Sequence, residues 1–133
     1  MSQAATPGPP HGIRILRAGV EHLDLAAPLF DAYRQFYKLP PHEAAARDFL
    51  RVRLERGESI VFLALDASGA ATGFMQLYPT FSSLSLKLWW ILNDLYVAPV
   101  ARQRGVGFFH RCRQRWIREP QHVDDVLEVW VRS

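Results

Sequence analysis

Residues 95–107, LYVAPVARQRGVG, decide how this chain is read. An apolar, strand-like run stops at Pro99, and Arg102, Gly105 and Gly107 follow at the mouth of a helix expected over residues 105–118. Helix N-termini leave backbone N–H groups unpaired and carry about half a positive charge, and glycines let an anion reach those groups without a Cβ in the way. Arg102 and Arg104 add charge-assisted bonds, so the segment has the chemistry of a phosphate site. It is not a dinucleotide fingerprint, because the three-glycine spacing and the following acid are missing, and it contains no Gly-Lys-Ser/Thr of a P-loop. Two glycines alone would equally make a plain turn beside solvated arginines; the order of elements around them favours the phosphate reading.

Upstream, residues 86–97 (LKLWWILNDLYV) and 74–80 read as strands, and 66–73 (DASGAATG) has the turn chemistry of a hairpin. Residues 59–65, SIVFLAL, are too short for a typical helix and form a strand covered on both faces. Two helices precede it. One runs over residues 20–37, with Leu23, Ala27, Phe30 and Tyr37 at helical spacing. The second opens at Pro41 as its first residue and closes at Arg56, with Gly57 as its stop. Residues 13–17 are a short first strand and 126–131 (VLEVWV) a last one, which together describe an α+β domain around one sheet. Residues 1–12, rich in Pro and Gly, are expected to be a flexible tail, and 13–133 one domain.

With 133 residues, 49% of them hydrophobic and 22% charged, the chain has room for one core and is too apolar to be disordered throughout. The net charge of +3 is mild, but Arg102, Arg104, Arg111, Arg113, Arg115 and Arg118 follow one another without an intervening acid. The single Cys112 excludes an intrachain disulfide and fits a reducing compartment, and without a Cys cluster or HExxH no metal site is expected. No run approaches the length of a membrane span and no signal-peptide core is visible, so a cytoplasmic protein is expected, with no membrane partner.

Arg102-Gln103-Arg104-Gly105-Val106-Gly107 resembles the R/Q-x-x-G-x-G/A pyrophosphate loop of the GNAT superfamily of acyl-CoA-dependent N-acyltransferases, and Val97 and Pro99 resemble the V-x-P that ends its fourth strand. The element order agrees over residues 13–107, and DAYRQFY, GFMQLYPTFSS and LNDLYVAP are similar to a bacterial branch of that superfamily. The resemblance implies a three-layer α/β/α-type fold with a mostly antiparallel mixed sheet. It implies that the backbone of Leu95, Tyr96 and Val97 pairs with the pantetheine arm of acetyl-CoA. The N–H groups of Arg102, Gln103, Arg104, Gly105, Val106 and Gly107 would hold the pyrophosphate. It also implies transfer of an acetyl group to a primary amine of a small molecule or peptide.

Such a reaction needs a base for the ammonium proton. Asp94 is the one carboxylate in a long apolar stretch, and burial strengthens a carboxylate as a base; capping a backbone group or pairing with an Arg is the structural alternative. Tyr33, Tyr37, Tyr78 and Tyr96 could supply hydroxyls, although aromatics at this spacing are more often core. His22 and His42 sit near helix starts, where solvation is the usual fate. Trp89 and Trp90, adjacent on a strand, point to opposite faces. Phe109, Cys112 and Trp116 would share a helical face, which makes the thiol a packing group.

Residues 108–133 depart from the family pattern. They hold the only Cys and five Arg where a Leu- and Ala-rich helix, further strands and a tyrosine-bearing fourth helix are expected, which suggests a truncated or frameshifted member without an inherited general acid. A CoA-binding but catalytically impaired protein is therefore the alternative, and a basic nucleic-acid-binding module on the Arg-rich helix a weaker one, since no recognised motif accompanies it. An exposed sheet edge would favour a homodimer.

Overall fold

The computed structural model describes residues 12–99 and the backbone of 115–117. Residues 1–11 of the tail expected over 1–12, and the loop residues 102–107, lie outside the described residues.

The chain runs β1 (Arg14–Ala18), α1 (Leu23–Phe36), α2 (Glu43–Glu55), β2 (Ile60–Leu65), β3 (Ala71–Ser82), β4 (Lys87–Val97) and β5 (Arg115–Ile117). These strands form one sheet in the order β1-β2-β3-β4-β5, and every pairing among the described residues is antiparallel. The expected α+β class holds. The central position of β2 explains its continuous apolar run: all six of its residues are buried. Its alternate side chains feed two cores. Ile60, Phe62 and Ala64 join Met75, Leu77 and Leu92 on one face, while Val61, Leu63 and Leu65 pack with Phe74 against Phe30 of α1 and Leu50 of α2 on the other.

Both helices end as their sequences dictate, with one unusual residue. Gly57 adopts φ 65° after α2, and the N–H of Glu58 reaches back to the carbonyl of Arg53 at 2.9 Å. After α1 the same left-handed position is filled by Lys38 at φ 67°, with the N–H of Leu39 bonded to the carbonyl of Arg34 at 3.2 Å. The turn between the helices is tied down by Asp31, a buried α1 carboxylate that accepts the backbone N–H of His42 at 2.9 Å and Gln35 Nε2 at 3.1 Å.

Four expectations need correction. The second helix opens at Glu43 instead of Pro41, because His42 is its cap: its Nδ1 accepts the N–H of Ala45 at 3.2 Å. The first helix is preceded by a 3-10 turn over Val20–His22, closed by the Gly19 N–H donating to His22 Nδ1 at 2.9 Å. Neither histidine is merely solvated. The strand expected to end at Thr80 continues to Ser82, and Pro79 is tolerated within it because β2 accompanies β3 only as far as Leu77, leaving an edge beyond. Residues 115–117, the end of the helix expected over 105–118, are strand: an aromatic and a β-branched residue after Arg115 suit a pleated ladder, and they pair with Trp90, Ile91 and Leu92 of β4.

Candidate functional site

The site is created by one extra residue. Between β3 and β4, Gln76 faces Asp94 and Leu77 faces Leu92, so Asn93 is a bulge. Upstream of it Trp90 and Leu92 pack on the face away from the helices; downstream it is Leu95 and Val97 that do so. An odd-numbered insertion reverses which face every later side chain occupies. Asp94 and Tyr96 are thereby turned to the helix side, where Tyr96 packs with Tyr33 and Phe74. In a regular strand, Asp94 would have pointed into the opposite apolar core.

Asp94 is 9% exposed, and three donors hold its carboxylate. Tyr33 Oη donates to Oδ1 at 2.9 Å from α1, while Oδ2 accepts Gln76 Nε2 and Asn93 Nδ2, each at 3.0 Å. Gln76 is fully buried, and its carbonyl oxygen accepts the Ser59 hydroxyl at 2.8 Å, which fixes the amide the right way round to serve Asp94. Ser59, Gln76, Asp94 and Tyr33 thus form a continuous polar chain from the residue preceding β2 to α1. Charge-assisted bonds of this kind are about twice as strong as neutral ones, and they leave Asp94 as an acceptor with its geometry set.

Two phenols respond to this carboxylate. Burial first, and then the charge and hydrogen bond of Asp94, push the Tyr33 hydroxyl well above its ordinary range, with Tyr37 adding to the effect. Tyr78 is pushed up to about 12, by burial first and Asp94 second, against opposing contributions from Arg53 and a hydrogen bond with Gln76. Both remain protonated donors at neutral pH. Around them, Tyr33 meets Tyr37 edge to face at 5.2 Å and Tyr96 at 5.9 Å, and Phe36 meets Tyr37 at 5.4 Å. Among the described residues, no three His, Cys, Asp or Glu side chains gather as a metal site requires, and no helix is long and apolar enough to cross a membrane.

Of the candidate residues, Asp94, Leu95, Tyr96 and Val97 lie together at the C-terminal end of β4, and Ala98 bonds back to the carbonyl of Thr72 at 2.8 Å. The β5 ladder meets β4 at Trp90, Ile91 and Leu92, on the other side of the bulge. Arg102, Gln103, Arg104, Gly105, Val106 and Gly107 fall outside the described residues. Gln76, Ser59 and Asn93 were missed from sequence, and Tyr33 was weighed as core. Gln76 alone left a signal, a single amide inside the apolar run FMQLY.

No family model matches the sequence. The chain is 51% identical over 81 residues to an uncharacterised N-acetyltransferase, YhfO, of Bacillus subtilis, covering 61% of this chain and 54% of that protein. It is 35% identical over 91 residues to a probable acetyltransferase of Haemophilus influenzae, covering 68% of this chain and 62% of that one. A crystal structure of a probable acetyltransferase superposes with a TM-score of 0.60 at 47% identity, over 68% of this chain and 73% of that chain. The chain belongs to the GNAT superfamily. It spans between half and two thirds of the length of the curated relatives it matches.

Proposed function

We propose that this GNAT chain transfers an acetyl group from acetyl-CoA to a primary amine, with Asp94 as the general base. The observation that carries the proposal is the Asn93 bulge, which takes a carboxylate out of the apolar face and seats it, held by three donors, beneath an aromatic cluster on the helix side. A strained or register-shifted strand next to a polar network is where sheets re-aim a side chain for chemistry.

Acetyl-CoA supplies the acyl group as a thioester. Asp94 Oδ1 accepts one proton from the bound ammonium, and the amine nitrogen then forms a bond to the carbonyl carbon as the carbon–sulfur bond breaks. The second proton lost by the attacking nitrogen passes to the departing thiolate, which leaves as the CoA thiol, and the proton on Asp94 returns to solvent. Tyr33, Gln76 and Asn93 act as positioning residues: by occupying three acceptor directions of the carboxylate, they leave the remaining Oδ1 lone pair for the substrate. The backbone of Leu95, Tyr96 and Val97 is assigned to the pantetheine arm, and Arg102, Gln103, Arg104, Gly105, Val106 and Gly107 to the pyrophosphate. In support, a fold neighbour from Clostridium acetobutylicum, 10% identical, was solved with acetyl-CoA, and a soil-metagenome aminoglycoside acetyltransferase, 19% identical, in complex with sisomicin.

The test is calorimetric titration of acetyl-CoA into the full chain and into Arg102→Ala. The proposal expects binding that the substitution weakens, because a phosphate contact is lost; equal affinity in both proteins would remove the loop assignment. We also propose that the chain is a homodimer. The β3–β4 hairpin, whose Phe81, Leu84 and Leu86 are exposed, offers an apolar surface for a second copy, and a monomeric mass by light scattering at micromolar concentration would contradict it.

A further inference from the structure

β2 accompanies β3 only to Leu77; beyond it β3 and β4 continue as a two-stranded ribbon to Ser82 and Lys87. On the helix side of this ribbon, strand alternation sets Tyr78, Ile91 and Trp89, each half-buried, in a line leading away from Asp94, whereas Trp90 packs in the opposite core. Beside Tyr96 and Tyr33 stand Phe36 and Tyr37, which are 53% and 61% exposed at the carboxyl end of α1. Phe36 joins Tyr96 at 6.4 Å and Tyr37 joins Tyr33 at 5.2 Å, so the exposed rings are one cluster with the buried carboxylate at its foot. Large aromatics left this open and grouped around a charged group mark a contact surface.

Among the described residues, the charges around the cluster admit one cation. Asp94 is the carboxylate within it, and the carboxyl end of a helix adds about half a negative charge. Other nearby acids are engaged: Asp31 holds the His42 N–H and Gln35, and Glu58 is bonded to Arg53 at 2.8 Å. Arg34 pairs with Asp31 at 4.0 Å, while Arg53 acts on Tyr78 and Lys38 follows the end of α1, so a second ammonium would meet positive charge. We infer, on the basis of the acetyl-transfer reading above, that the acceptor is a monocationic amine with an aromatic or flat apolar body. Its ammonium bonds to Asp94 Oδ1 and the Tyr33 oxygen, and its body lies along Tyr78, Ile91 and Trp89. Polycationic, polyhydroxylated aminoglycosides do not fit this description.

Three probes separate the possibilities on the full chain: phenethylamine, its neutral analogue 2-phenylethanol, and kanamycin. Calorimetry is expected to show phenethylamine binding, with 2-phenylethanol weaker by roughly tenfold to a hundredfold, the loss of a hydrogen bond to a charged group. Ile91→Ala and Tyr78→Ala are expected to raise the KM for phenethylamine while leaving the KM for acetyl-CoA unchanged. Equal binding of the neutral analogue, a higher kcat/KM for kanamycin, or an unchanged KM in both variants overturns the inference. Phenethylamine binding without acetyl-CoA binding would instead overturn the acetyl-transfer reading and leave the amine site standing.

Discussion

Replacing Asp94 in two ways separates its structural work from its chemical work. In Asp94→Asn the side chain keeps its shape. Its carbonyl oxygen can take the Oδ2 position, still accepting from Gln76 and Asn93, and its NH2 can donate to the Tyr33 oxygen once that hydroxyl turns. Each polar atom keeps a partner, so the loss is the difference between charge-assisted and neutral bonds, about 1 to 2 kcal/mol in total. Asp94→Leu leaves all three donors without their acceptor. Burial ranks them: Asn93 is exposed and can turn to water, Tyr33 is half-buried, and Gln76 has no exposure at all. An unsatisfied buried amide costs about 1 to 3 kcal/mol by itself, so the leucine variant is expected to lose about 3 kcal/mol. Urea denaturation of both proteins measures these values. On activity the two converge, because both lack the base, and a drop of about a hundredfold to ten-thousandfold in kcat/KM for CoA release is expected in each. An asparagine variant that folds well and turns over like the parent would refute the assignment of Asp94. One that is as unstable as the leucine variant would refute the hydrogen-bond reasoning.

Other consequences can be measured on the same protein. Tyr33→Phe removes one donor to Asp94 and should cost about 1.5 kcal/mol in denaturant titration while lowering kcat for acetyl transfer and leaving the KM for acetyl-CoA unchanged; an unchanged kcat would exclude a positioning role. Tyr78 binds its proton more tightly in the folded state, so stability is complete below the ordinary value of 10.0 and is lost as pH rises towards about 12; Tyr78→Phe should flatten that alkaline decline in thermal melts, and a parallel decline would contradict the cause. Lys38→Gly relieves a left-handed residue at the end of α1 and is expected to stabilise by about 0.5 to 1 kcal/mol in urea melts. At Gly73 a Cβ would approach the carbonyl oxygen of Tyr96 to 3.1 Å, and Gly73→Ala should destabilise by about 1 kcal/mol or more, with a larger effect on acetyl-CoA affinity than the other substitutions because Val97 lies opposite.

Much of the fold could be read from the chain because its signals are local. IVFLAL is apolar throughout since β2 has strands on both sides and cores on both faces, and Gly57 marks the end of α2 by a conformation that side chains avoid. Asp94 stood out as a lone acid in an apolar strand. Its environment did not. A bulge is defined by register against a partner strand, and nothing in ILNDLYV distinguishes Asn93 as the surplus residue until Gln76 is set opposite Asp94. The link from Tyr33 to Asp94 reaches across one helix and two strands of intervening chain, so helical spacing could only describe that tyrosine as one more aromatic on the core side. Residues 115–117 misled because Trp and Ile fit a helical face and a pleated strand equally well, and only the neighbouring edge of β4 chose between them.

The most direct test of acetyl transfer at this site is the steady-state formation of N-acetylated product and free CoA from acetyl-CoA and phenethylamine by the full chain, run beside Asp94→Asn. The account predicts product and CoA in equal amounts from the parent, and retained acetyl-CoA binding with turnover lost in the variant. A parent that neither binds acetyl-CoA nor acetylates the amine, or a variant that acetylates it at the parent's rate, would contradict it.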